Sequence, residues 1–315
     1  MDNLTHSLVG AVLGQMGLKR KTGLAMPTLI LAANLPDIDA GCAIYGVESL
    51  AMRRGLTHGP IALFLLPLLL WAAMLGFDTW QARRGKRPAD RLPVHKGWLL
   101  ALAYIGCLSH PALDWLNNYG IRLLEPFSHR WFYGDTLFIV DLWIWIALGL
   151  SVGLSLRRER RGCANWRRPA WIGFTAVCAY IFANGLITGR AEAQAAELLR
   201  DAGQDGALVV ASPPPLMFWK RDIFWRGGGY YGRGAFALGA GATVEPGRPT
   251  GMDDMRLRLW AKADPAARAF LFWARMPVAT RDGDAIDLAD QRFMQPLARG
   301  SFMVRVTAPN RRPPG

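Results

Sequence analysis

The feature that most constrains this chain is the alternation of apolar runs with connections that are either crowded with arginine and lysine or nearly devoid of them. Residues 136–156 and 170–189 are long enough to cross a hydrocarbon core of about 30 Å as helices. The run 61–77 sits at the short end of that range, and 4–18, 24–35 and 97–109 are shorter still. One set of connections carries the cations of Lys19 to Lys21, Arg83 to Lys96 and Arg157 to Arg168, fifteen in all. The other set, 36–60 and 110–135, carries four: Arg53, Arg54, Arg122 and Arg130. Because short cytoplasmic loops are enriched in lysine and arginine, this asymmetry predicts about six helical segments in a polytopic membrane domain with both its ends on the non-cytoplasmic side.

Composition supports that reading. The 315 residues are 51% hydrophobic and include 13 Trp, a residue suited to headgroup level. A net charge of +13 admits nucleic acid as a partner, but cations clustered between apolar runs anchor a membrane protein to anionic lipid, so membrane lipid is the expected partner and nucleic acid is not. Cys42, Cys107, Cys163 and Cys178 have no CxxC spacing and form no disulfide framework. The first residues lack the basic start and cleavage site of a signal peptide, so insertion is expected to rely on retained segments.

After Arg190 the pattern changes. A membrane domain over 1–190 is followed by a small β-rich soluble domain over 191–315, opening with an amphipathic helix over 191–200. Strands are expected at 208–211, 216–219, 223–225, 229–231, 257–260, 269–274 and 302–306, with a loose Arg-Pro-Pro tail.

The residues able to do chemistry gather in the arginine-poor connections or at the segment ends facing them. They are His6, Asp37 and Asp39, His58, and His110 with Asp114. His110 and Asp114 are four apart, which on a helix places both on one side. In Asp37-Ile38-Asp39 an extended backbone sends both carboxylates to one face, with Pro36 opposing a helical continuation. Singly, each has a plainer reading: a histidine near a helix end caps it, an aspartate turns the chain or pairs with Arg54 or Arg122, and Thr57-His58 caps the next helix. Together, three imidazoles and three carboxylates suit zinc or manganese, with enough donors for two ions bridged by an aspartate. His129, Asp135 and Asp141 are weaker candidates, Asp141 as a group that orients a ligand; His95, in the basic connection, is excluded. The glycine-rich stretches at 227–229 and 239–241 lack a P-loop lysine, and no Gly-x-Ser-x-Gly elbow is present.

These motifs, in this order, resemble those of the YdjM-type inner-membrane proteins, described as LexA-binding inner-membrane hydrolases or membrane-bound metal-dependent hydrolases. The matching elements are Asp2-Asn-Leu-Thr-His6-Ser, Asn34-Leu-Pro-Asp-Ile-Asp39, Arg54-Gly-Leu-Thr-His58-Gly, Ser109-His-Pro-Ala-Leu-Asp114, and Glu125-Pro-Phe-Ser followed by Asp135 and Phe138-Ile-Val-Asp141. The resemblance covers about the first 190 residues and implies a metal-dependent hydrolase of the bacterial inner membrane.

The expected chemistry is hydrolysis of a lipid-like or phosphoester substrate by metal-activated water. His6, Asp37, His58, His110 and Asp114 are its ligands, Asp39 a bridge or general base, and Arg54 a clamp on substrate or on an aspartate. The chief rival is a non-enzymatic scaffold with a structural metal or polar site; a transporter is the weaker one, because only Asp141 approaches mid-membrane depth.

Overall fold

The computed structural model describes residues 1–294 and 302–308. The chain divides into two compact units, one of residues 1–39, 54–186 and 214–218, the other of 40–53, 187–213 and 219–315.

The first unit is helical: α1 (Asn3–Gln15), α2 (Ala25–Asn34), α4 (Pro60–Arg83), α5 (Lys96–Asp114), α6 (Leu142–Arg160) and the first part of α7 (Arg168–Asp201). Asp2 starts α1, its Oδ1 accepting the amides of Leu4 and Thr5 at 3.0 Å each, donors that the first helical turn leaves unpaired. Small residues bring the next helices together. A Cβ on Gly10 would stand 2.8 Å from the Leu29 carbonyl oxygen, and one on Gly106 would stand 2.7 Å from Ala32 Cβ. Contact that close between helix backbones needs glycine or alanine at the crossing, the usual device of membrane helices. Val9, Val12, Leu113, Ile144, Leu148 and Val177 bring α1, α5, α6 and α7 into one core.

Two helices among the described residues are long and apolar enough to cross a membrane, the mean hydropathy over an 18-residue stretch being 2.2 in α4 and 1.6 in α7. The expectation of about six spans is corrected to two. At 1.5 Å per residue, α1 and α2 reach roughly 20 and 15 Å, well short of the hydrocarbon core. The run 136–156 also falls short as a span, because its helix begins only at Leu142, with Asp141 as its N-cap, and carries Arg157, Arg158 and Arg160 in its last turn. Phe64 and Leu69 on α4 are exposed, which suits a helix meeting lipid rather than protein.

The second unit carries the β-structure. Strands β1 (Leu208–Ser212), β2 (Lys220–Gly227), β3 (Tyr230–Ala237) and β4 (Gly241–Val244) form an antiparallel meander, and the short β5 (Arg248–Pro249) pairs with β3. Ala191 and Ala195 of α7 pack on Ala211, Ile223 and Phe236 of this sheet. The stretch 191–200 is thus the continuation of one long helix rather than a separate surface helix. A second antiparallel sheet joins β6 (Pro277–Asp282), β7 (Ala285–Asp290) and β8 (Met303–Thr307).

Residues 257–260 and 269–274, read from sequence as strands, are helical instead, in α8 (Met255–Ala263) and α9 (Pro265–Trp273). Asp254 and Asp264 cap these helices, and α9 buries Ala267, Phe270 and Trp273 at helical spacing, which overrides the β-propensity of its aromatic residues. Residues 216–219 form a turn, Leu216 taking a φ of +66°. The helix α3 (Ser49–Met52) also belongs to this unit. The Arg-Pro-Pro tail lies outside the described residues.

Candidate metal centre

In the first unit the chemistry-bearing ends of four helices meet: the start of α1, the end of α2, the turn before α4 and the end of α5. This brings one ligand atom from each of Asp37, His58, His110 and Asp114 to within 4.8 Å of one another. His58 Nε2 faces His110 Nε2 at 3.2 Å. Asp114 Oδ2 stands 3.5 Å from each of these nitrogens, and Asp37 Oδ1 stands 3.6 Å from His110 Nε2. Four donors held about 2.1 Å from a tetrahedral ion lie roughly 3.4 Å apart, so these four spacings match edges of such a shell, and the remaining pairs lie within 4.8 Å. Three of the four residues are buried and Asp37 is partly exposed.

The local sequence explains each placement. His110 and Asp114 occupy successive turns of α5 as their spacing predicts. His110 Nδ1 lies 2.7 Å from the Ala33 carbonyl oxygen, to which it donates, so the lone pair is left on Nε2, facing the cluster. His58 ends a short 3₁₀ turn, Leu56–His58, and its Nδ1 is backed by the Thr57 hydroxyl at 2.9 Å and by Asp39 Oδ2 at 3.5 Å.

Asp37 and Asp39 do not share a face. The segment Leu35–Glu48 is 3₁₀-helical rather than extended, because a proline fits the first turn of a helix, where its missing N–H is not needed. At three residues per turn, positions two apart differ by roughly 240°. Asp37 thus turns toward His110, whereas Asp39 stands behind the His58 ring, where its Oδ2 accepts from the Arg54 amide at 2.7 Å and the Thr57 hydroxyl at 2.8 Å.

His6 lies beside the four rather than among them. Its ring stacks on His110 with centroids 3.8 Å apart, and its Nε2 is 3.3 Å from Asp114 Oδ1, so Asp114 turns one oxygen to each side. His6 is fully buried and neither ring nitrogen has a hydrogen-bond partner among the described residues, an arrangement that costs free energy unless the nitrogens receive a cation or a proton. The Met1 amino group also contacts Asp114 Oδ1. Arg54, held at a φ of +53°, places Nε 3.0 Å from Asp114 Oδ2 and donates from Nη1 to Asn117 Oδ1 at 2.9 Å. Its guanidinium lies over the Tyr119 ring.

Burial works to raise the Asp37 carboxyl, but the facing His110, then Arg54 and His58, outweigh it and hold it at about 2. Asp39 is likewise kept below the ordinary carboxylate range, His58 and the Thr57 hydroxyl overcoming its burial. Burial pushes the His58 imidazole below its usual value although Asp39 opposes this. An ionised carboxylate beside neutral imidazoles is the state a divalent cation requires.

The weaker candidates go elsewhere. His129 is two-thirds exposed and bonds through Nδ1 to Glu125 Oε1 at 2.8 Å. Asp141 caps α6, accepting the Trp143 and Ile144 amides on Oδ1 and the Tyr180 hydroxyl on Oδ2. Asp135 is buried at a φ of +49° outside the group of four. His95 caps α5. Thr57 and Asn117 emerge as supporting residues that sequence reading did not assign to the site; the place of Thr57 between His58 and Asp39 follows from the turn, and Asn117 carries no signal beyond following Asp114.

A family model described as YdjM inner membrane protein matches residues 1–191. The chain belongs to the YdjM inner membrane protein family. The matched region contains the four clustered residues as well as His6 and Asp39 beside them, so the family assignment and the cluster concern the same part of the chain. No curated protein and no solved structure matches the chain.

Proposed function

We propose that this YdjM-family protein is a membrane-bound metal-dependent hydrolase acting on a lipid-like or phosphoester substrate. The observation that carries the reading is the set of four donor atoms from Asp37, His58, His110 and Asp114 at coordination-shell spacing. Zinc or manganese fits two imidazoles and two carboxylates, and the second oxygen of Asp114 with His6 supplies donors for a second ion.

Asp37, His58, His110 and Asp114 would hold the ion, which would supply polarisation of a substrate oxygen and a more acidic water. The chain's own residues do the rest. Asp39, bonded to the Arg54 amide and to Thr57, holds the His58 ring in place. Arg54 neutralises Asp114 and stands ready to face an anionic group on a substrate. Ile38 and Leu56, each between two site residues, are exposed apolar side chains, as an amphiphilic substrate reaching the site from lipid would favour. We place the site on the non-cytoplasmic side, because the connections that carry its residues are the ones poor in arginine and lysine.

A second reading is a scaffold with a structural ion, which the number of donors favours, since four protein ligands can close a tetrahedral site whereas a catalytic one keeps a position open. The two separate on detergent-purified protein loaded with cobalt. Azide or fluoride should alter the visible spectrum if a position is open, and a screen of phosphoesters and lipid esters should then yield metal-dependent turnover. A cobalt spectrum indifferent to added anions, together with no turnover, would establish the scaffold instead.

A further inference from the structure

The opposite end of the first unit holds a cluster that the metal centre does not use. Lys19 Nζ, Arg20 and Arg167 lie over the single ring of Trp166, at 4.7, 5.6 and 5.1 Å from its centroid, and Lys21 lies 4.8 Å over Trp98. The platform is fixed. Trp166 is buried, its carbonyl accepts from the Ser155 hydroxyl at 2.7 Å, and that hydroxyl is 3.1 Å from Gln15 Oε1. Against three cations stands one carboxylate among the described residues: Glu159 pairs with Lys19 and, at 3.0 Å, with Arg20. Arg167 makes no ion pair among the described residues.

Like charges gathered over one aromatic ring repel unless an anion joins them, and ring faces offset only part of that repulsion. Arg157, Arg158, Arg160, Arg161 and Arg168 add further positive charge in the adjoining sequence. The cluster adjoins the first residue of α7, one of the two helices able to cross a membrane, and so sits where lipid headgroups lie. We propose that Lys19, Arg20 and Arg167 over Trp166 form a binding site for the phosphodiester headgroup of an anionic phospholipid. The site is independent of the hydrolase reading: it uses none of the same residues and needs no metal.

The test is native mass spectrometry of the detergent-purified full chain titrated with phosphatidylglycerol, phosphatidylcholine or inorganic phosphate. Phosphatidylglycerol should bind saturably and more tightly than phosphatidylcholine, whose choline cancels the headgroup charge. Arg20→Gln and Arg167→Gln, both at exposed positions, should each weaken it roughly fivefold, the effect of one cation at a membrane surface. The paired variant Arg83→Gln/Arg84→Gln removes two exposed cations of the basic connections outside the cluster and should leave binding unchanged. An equal loss in that control would mean diffuse charge attraction and overturn the proposal. So would equal binding of phosphatidylcholine, or displacement of the lipid by equimolar inorganic phosphate, which would make this a site for the free anion.

Discussion

His58 Nε2 and His110 Nε2 meet at 3.2 Å although 52 residues separate them, and each ring is held from behind through its other nitrogen. Two ring nitrogens directed at each other in a buried site need either a shared proton or a cation between them. His58→Ala and His110→Ala should therefore each lower bound divalent metal on the order of 100-fold while the protein still inserts into the membrane. Elemental analysis of the purified variants checks this; a double variant with full metal content would refute the assignment.

Asp39 acts on the same centre through His58. Asp39→Asn keeps the shape but weakens the acceptor behind the ring, so metal affinity should fall about 10- to 100-fold, the usual cost of losing such a partner. Chelator competition measures it. An unchanged affinity would show that Thr57 orients the ring by itself.

The metal-free protein should lose stability as pH falls. His58 resists protonation in the folded state, so below about pH 6.5 the unfolded chain binds a proton that the folded one declines. Asp37, ionised down to about 2, contributes stability that is complete above its unfolded value of about 3.9 and is lost as pH drops from there through 2. Both effects have the same sign. Thermal melts of chelator-treated protein should give a lower Tm at pH 5.5 than at pH 7.5, with a smaller difference in His58→Gln; a higher Tm at pH 5.5 would contradict the assignment.

Gly106 sets the distance between α2 and α5, and with it the spacing of Asp37 from His110. A leucine there would drive its Cβ into Ala32 and the Leu29 carbonyl, costing on the order of 1–3 kcal/mol or more. Gly106→Leu should lower both the Tm and the metal content, measured side by side on one preparation. Full metal occupancy in the variant would mean that the site does not depend on this helix contact.

Much of this arrangement is legible before any coordinates. His110 and Asp114 meet because i and i+4 share a helix face, and the convergence of distant motifs follows from segments that return their ends to one surface. The number of crossings was not legible in the same way. Apolarity over 136–156 is continuous, but Asp141 stops the helix by accepting amides that a longer helix would bond internally. Nor were the separate directions of Asp37 and Asp39, which depend on a 3₁₀ turn where the dipeptide pattern suggested extended chain. The reading of 257–260 and 269–274 as strands failed because helix caps at Asp254 and Asp264 outweigh local aromatic propensity once Phe270 and Trp273 have a core to enter.

The order of residues alone determined which groups can bind metal, which stretches are apolar and where cations accumulate, because these are properties of side chains and their spacing. Only the tertiary structure decided that four donors meet at coordination distance, that Asp39 and His6 stand beside them, and that three cations share the ring of Trp166. Those outcomes depend on how closely helix backbones approach at Gly10 and Gly106 and on how each loop turns. Such distances arise from packing between segments far apart in the chain, and no local pattern encodes them.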